Sequence, residues 1–124
     1  MEIAIIAHDG KKVDMVQFLN KNIDILKNEK IKLIATGTTG GKAENAGFKV
    51  KKMLSGPIGG DAQIAARVAE GKTKLVLFFK DPLASHAHEV DINMLLRVCD
   101  VHNVPIATNE ASAQLLLNAI TMKL

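Results

Sequence analysis

Residues 3–41 read IAIIAHDGKKVDMVQFLNKNIDILKNEKIKLIATGTTGG, and the fold is decided here. The first segment, Ile3–Ala7, is a β-branched run too short for a helix, and it stops abruptly at His8-Asp9-Gly10. Val13, Val16, Leu19, Ile23 and Leu26 then recur at helical spacing, with Asp9 placed to cap that helix. A second short apolar run, Lys32–Ala35, ends at Thr36-Gly37-Thr38-Thr39-Gly40-Gly41. Strand, helix and strand in this order form a βαβ unit, whose two strands run parallel because a crossover joins them.

The alternation continues outward from that unit. A brief helix is expected around Lys42–Ala46, stopped by Gly47, and a weaker, partly exposed strand over Phe48–Leu54. Ser55-Gly56-Pro57-Ile58-Gly59-Gly60-Asp61 ends that strand, and Ala62–Glu70 follows as a helix with Ile64 and Val68 on one face and Gly71 as its stop. Leu75–Phe79 is the most apolar strand, which places it centrally, and it gives way to Lys80-Asp81-Pro82. A polar loop through His86 and His88 leads to a helix near Asp91–His102. Val104–Ala107 is a fifth strand, short or at an edge because of Pro105. It ends at Thr108-Asn109, and Ala111–Ile120 closes the chain as a helix. The expected fold is α/β: a single domain over residues 1–124 with a five-stranded, mainly parallel sheet flanked by helices. Ligands of such sheets lie beyond the carboxyl ends of the strands, where every apolar run here stops in polar or glycine-rich residues.

Composition narrows the function classes. The chain has 124 residues, within the size of one domain, and 48% of them are apolar, enough for a core. Trp and Tyr are absent, which argues against a single-stranded nucleic-acid binder, whose stacking platforms need aromatic faces. The net charge of +3 is spread along the chain, as on a solvated surface with a mild general attraction for anionic metabolites. The single cysteine, Cys99, excludes an intrachain disulfide and reads as a buried thiol in an apolar helix. Met1-Glu2 leads straight into a strand, with no signal peptide and no membrane-length apolar run, so a cytoplasmic protein is expected.

The glycine-rich segments at Thr36–Gly41 and Ser55–Gly60 each precede a helix. Glycine lets backbone N–H groups approach an anion, and a helix N-terminus adds partial positive charge. The hydroxyls of Thr36, Thr38, Thr39 and Ser55 can donate to phosphate oxygens. Neither segment matches a Walker A or dinucleotide pattern, and either alone reads as a turn; two at strand ends in one domain point to phosphate. Lys12, in the first turn after the first strand, reads as a solvated lysine or as the positive charge a phosphate site needs. Asp61 reads as an N-cap or dipole partner, or as a general base beside the cradle; Asp81 closes an Asx turn or serves the site. His86, His88 and Asp91 have side chains that suit zinc, but no further ligand cluster accompanies them. The alternative is one His acting in proton transfer and oriented by a carboxylate, with His88 the nearer to Asp91.

These residues resemble the methylglyoxal synthase family. The match is carried by Ala7-His8-Asp9, Lys12, Thr36-Gly37-Thr38-Thr39-Gly40, Ser55-Gly56-Pro57-Ile58-Gly59-Gly60-Asp61, Phe78-Phe79-Lys80-Asp81-Pro82, His88, Asp91, Leu95-Leu96-Arg97 and Pro105-Ile106-Ala107-Thr108-Asn109, nearly the whole chain. The resemblance implies a Rossmann/flavodoxin-like sheet and a lyase, free of metal and other cofactors, that converts dihydroxyacetone phosphate to methylglyoxal and inorganic phosphate. It implies Asp61 as base, and His88 as the electrophile that shuttles a proton between the enediolate oxygens. It implies His8, Lys12, Thr36, Gly37, Thr38, Thr39, Ser55 and Gly56 as substrate-binding residues, with Asp81 and Asp91 in support. A homohexamer inhibited by phosphate is implied too, with no nucleic-acid or membrane partner. Two departures stand out: Lys80 replaces an aromatic residue common in the family, and the chain ends at Leu124, short of the tail many relatives carry. The competing reading is a ligand-sensing regulatory module of the same fold, which needs the cradle but not the pair Asp61 and His88.

Overall fold

A computed structural model describes residues 1–83 and 92–124. Five strands, β1 (Glu2–Ala7), β2 (Lys32–Ala35), β3 (Val50–Lys52), β4 (Thr73–Phe79) and β5 (Ile106–Ala107), form one sheet in the order β3-β2-β1-β4-β5. All neighbouring pairs are parallel. The helices are α1 (Lys12–Lys21), α2 (Ile23–Leu26), α3 (Gly37–Asn45), α4 (Gly60–Ala69), α5 (Ile92–Val101) and α6 (Glu110–Thr121), with 3-10 turns at Asp9–Lys11 and Gly56–Ile58.

Alternation of side chains along the strands divides the core in two. Ile3, Ile5 and Ala7 of β1 face one layer with Met15, Phe18, Ala43 and Leu117, so α1, α3 and α6 cover that side. Ala4 and Ile6 face the other layer with Ile64, Val68, Leu95 and Cys99, from α4 and α5. A strand covered on both faces must be apolar at every position, which is why these runs lack the polar alternation of a half-exposed strand.

The structure refines several sequence expectations. β1, not β4, is the middle strand; β4 lies beside it, also flanked on both sides. The third and fifth strands shrink to Val50–Lys52 and Ile106–Ala107 at the two edges, where only one neighbour holds them. The first helical pattern breaks at Asn22, which is buried and donates its side-chain amide to the Phe18 carbonyl at 2.9 Å and to Gln114 of α6 at 2.9 Å. Asp9 is not the N-cap of α1: it lies within the first 3-10 turn, and Lys11 occupies that N-cap without a side-chain bond.

At the amino edge of the sheet, Glu2 receives Arg67 of α4 through two bonds, of 2.9 and 2.6 Å, and the Thr73 hydroxyl at 2.6 Å. The bonds from Arg67 hold the Glu2 carboxyl below its ordinary value of 4.5. A carboxylate with a depressed folded pKa contributes stability above its unfolded pKa and loses it as pH falls through the folded value. Arg67→Met is therefore expected to cost about 2 kcal/mol at pH 7, the worth of hydrogen bonds to a charged group. The native chain is expected to lose that increment below about pH 4.5, so urea titrations at a series of pH values will show the two proteins converging in acid.

Candidate active site

Beyond the carboxyl end of β1 the chain departs toward β2, whereas beyond β4 it departs toward β5. The two central strands thus leave a crevice between them, the switch point at which ligands of open α/β sheets sit. His8 stands at its floor. Its backbone N–H donates to the Phe79 carbonyl at 3.1 Å, and its Nδ1 accepts the Asp81 N–H at 2.9 Å. An accepting Nδ1 puts the proton of a neutral imidazole on Nε2. The ring is 6% exposed and meets Phe78 edge-on at 5.1 Å. The Asp81 carboxylate accepts the Leu83 N–H at 3.0 Å, so the Asx turn expected at Asp81-Pro82 is present. Asp81 therefore orients a histidine through its main chain while its side chain holds the turn.

Lys12 opens α1, and its Nζ donates to the Ala7 carbonyl at 3.3 Å and pairs with Asp9. Only 12% of its side chain is exposed, which rules out a freely solvated lysine. Its charge is held at the end of β1, beside His8.

The first glycine-rich segment is a helix, not a loop. Thr36 is the N-cap of α3, and Gly37 through Gly41 form its opening turns. Glycine and threonine are poor helix formers, but close packing decides here. A Cβ on Gly40 would lie 2.6 Å from Cγ of Lys52, and one on Gly37 would lie 3.2 Å from the Met53 carbonyl oxygen. Small residues let α3 lie against β3 and the segment after it. Thr36 donates its hydroxyl to that of Thr39 at 3.2 Å, both being buried, while Thr38 is exposed at the helix mouth.

The second glycine-rich segment turns through Gly56–Ile58, takes a positive φ of 112° at Gly59, and enters α4 at Gly60. A Cβ on Gly60 would lie 1.9 Å from the Leu54 carbonyl oxygen, so no other residue fits without moving the backbone. That same carbonyl accepts the Gly37 N–H at 3.1 Å. One short segment thereby brings the N-termini of α3 and α4 together, with Ser55 and Gly56 between them. Two helix N-termini on one edge make an anion site from main-chain donors and aligned dipoles. Asp61 is half-buried in the first turn of α4; Gly59 is the N-cap, which removes the capping reading of Asp61.

His8, Lys12, Thr36, Gly37, Thr38, Thr39, Ser55, Gly56, Asp61 and Asp81 all lie on the carboxyl edge of the sheet. His86, His88 and Asp91 lie outside the described residues, so their expected roles find no geometry here. Cys99 is fully buried, and burial pushes its thiol up to about 11, as expected of a core cysteine. His102 is exposed just beyond α5. Among the described residues, no group of three or more His, Cys, Asp or Glu side chains is placed to hold a metal ion, and no helix is long and apolar enough to cross a membrane. A groove of about 610 Å³ between Leu26, Ile31 and Phe48 lies at the amino ends of β2 and β3, away from this chemistry. The main chain of Leu54 and the side chain of Gln63, which bonds to it, went unnoticed in sequence; neither residue type carries a signal for that role.

The strand order defines a doubly wound α/β protein, with the paired helix N-termini and the lysine on the carboxyl edge of its sheet. A family model for the MGS-like domain matches residues 14–108. A methylglyoxal synthase from Clostridium botulinum (strain Alaska E43 / Type E3) is 52% identical over 94% of this chain and 98% of its own length. One from Carboxydothermus hydrogenoformans is 54% identical over 97% and 98%. The crystal structure of methylglyoxal synthase from Elizabethkingia anophelis superposes with a TM-score of 0.89 at 41% identity, covering 94% of this chain and 76% of that one. The chain belongs to the methylglyoxal synthase family.

Gly60→Ala tests the close approach on which the cradle depends. Overpacking against backbone is expected to cost about 3 kcal/mol, read as a lower urea midpoint, and to abolish the binding of inorganic phosphate measured by calorimetry.

Proposed function

We propose that this chain, as one domain over residues 1–124, is a lyase that converts dihydroxyacetone phosphate to methylglyoxal and inorganic phosphate. The observation that carries the reading is the half-buried acid Asp61 in the first turn of a helix whose N-terminus faces an anion cradle. An acid there opposes anion binding, so it requires a purpose of its own, and proton abstraction supplies one.

In this reading the phosphate is held by Ser55, Gly56, Thr36, Gly37, Thr38 and Thr39, with Lys12 providing charge and His8 a donor from Nε2. Asp61 removes a proton from the hydroxymethyl carbon, and the electron pair left behind forms the carbon–carbon double bond of an enediolate. His88 donates to the carbonyl oxygen and then moves a proton between the two enediolate oxygens, with Asp81 and Asp91 in support. Collapse of the enediolate breaks the bond between carbon and the phosphate oxygen, and inorganic phosphate leaves with that electron pair. The remaining enol takes a proton on carbon and becomes methylglyoxal. A placed donor on the developing oxyanion contributes about 10²–10³ in rate, and a positioned base about 10²–10⁴.

The same reading makes the enzyme a cytoplasmic homohexamer that needs no metal or other cofactor and is inhibited by its product phosphate. The test is incubation with dihydroxyacetone phosphate, with and without chelator, while methylglyoxal and phosphate are measured together. Equal release of both, indifferent to chelator, is expected. Phosphate binding without release above the spontaneous background would leave a ligand-sensing module instead.

Asp61→Asn is expected to lower kcat by at least about 10³, within the range for a general base, with substrate affinity retained; near-normal turnover would end Asp61's role as base. Lys12→Ala is expected to raise KM about tenfold, as loss of a charged phosphate contact does, and unchanged saturation kinetics would show that this lysine does not touch substrate.

A further inference from the structure

The segment between β3 and α4 brings Ser55 and Gly56 to the cradle, and the direction of their N–H groups depends on the backbone of Leu54. That backbone is gripped on both sides. Its carbonyl accepts the Gly37 N–H at 3.1 Å, and its own N–H donates to Oε1 of Gln63 at 2.7 Å. Gln63 stands on α4 two positions after Asp61, and its backbone N–H donates to the Gly59 carbonyl at 3.0 Å, at the head of the helix. One side chain therefore ties the helix that carries the acid to the main chain that carries the cradle, and through Leu54 to the first residue of α3.

We infer that Gln63 is a positioning residue that sets the phosphate cradle relative to Asp61; this rests on the lyase reading above. Chemistry favours the residue type. The position needs an acceptor for a backbone N–H, and an amide supplies one without placing negative charge beside an anion site. Gln63 is exposed, so water can satisfy the Leu54 N–H when the acceptor is lost, and folding suffers little. Water does not fix a direction, however. A small misplacement between base and substrate is what a proton abstraction tolerates least.

Gln63→Met keeps the length and removes the acceptor, and Gln63→Ala removes it in a second context. Gln63→Glu keeps the acceptor and adds charge. With melting temperatures near the native one, the Met and Ala variants are expected to lose about tenfold in kcat, the scale of a modest misalignment, and to bind inorganic phosphate several-fold more weakly. The Glu variant is expected to keep kcat within about threefold of native while KM rises, the pattern of lost uniform binding. Native kcat or native phosphate affinity in the folded Met and Ala variants, or a Glu variant as slow as they are, overturns the inference. Phosphate affinity is read by calorimetry without turnover. A native chain that releases no methylglyoxal would therefore end the lyase reading, while the phosphate comparison still decides the place of Gln63.

Discussion

Parallel pairing of β1 with β4, from Ile3 opposite Leu75 to Ala7 opposite Phe79, is the constraint on which the rest of the molecule depends. From Ile3 to Ala7 and from Leu75 to Phe79 the strands are covered on both faces, so every side chain along these stretches must be one that can leave water. Polar groups are excluded until the first residue past the cover, which makes the change from hydrocarbon to chemistry abrupt: Ala7 to His8 on one strand, Phe79 to Lys80 and Asp81 on the other. The chain leaves these neighbours toward opposite edges of the sheet, which makes the gap between their carboxyl ends the switch point where ligands of such sheets sit.

The second determinant is a distance too short for a side chain. Gly60 lies so close to the Leu54 carbonyl that a methyl group would overlap it, and Gly37 donates to that carbonyl from the other side. Gly37 and Gly60 thus serve less as flexible hinges than as places where backbone meets backbone. Their packing brings two helix N-termini together, and the sum of their free N–H groups and dipoles is what makes a cradle for an anion. The acid on α4 is placed by the same contact, so Asp61 and the two helix N-termini share one piece of scaffold.

The two edges of the sheet differ in how their polar groups are held. At the amino edge, Glu2, Arg67 and Thr73 bond to one another across β1, α4 and β4. At the carboxyl edge, the Asp9 carboxylate and the Ala7 carbonyl hold Lys12, and the Asp81 N–H holds His8.

Much of this is legible in the chain alone. Short apolar runs alternating with helical periodicity determined a parallel α/β sheet, since hydrophobic period reports burial and burial reports layer. The polar and glycine-rich stops located the working edge and its candidate residues, because a covered strand can change character only at its end. Other features had no local signature. Thr36–Gly41 reads as a loop by propensity, yet contact with Lys52 and Met53 makes it the start of α3. Asp61 reads equally as a cap, and only the left-handed turn at Gly59 shows that the cap lies elsewhere. The bond from Leu54 to Gln63 and that from Asp81 to His8 join residues distant in sequence through main-chain atoms. Every residue has those atoms, so residue type cannot announce them. The sequence by itself determined which side chains reach the edge; only the tertiary structure decided which backbone groups hold them there, because those pairings depend on how the elements pack.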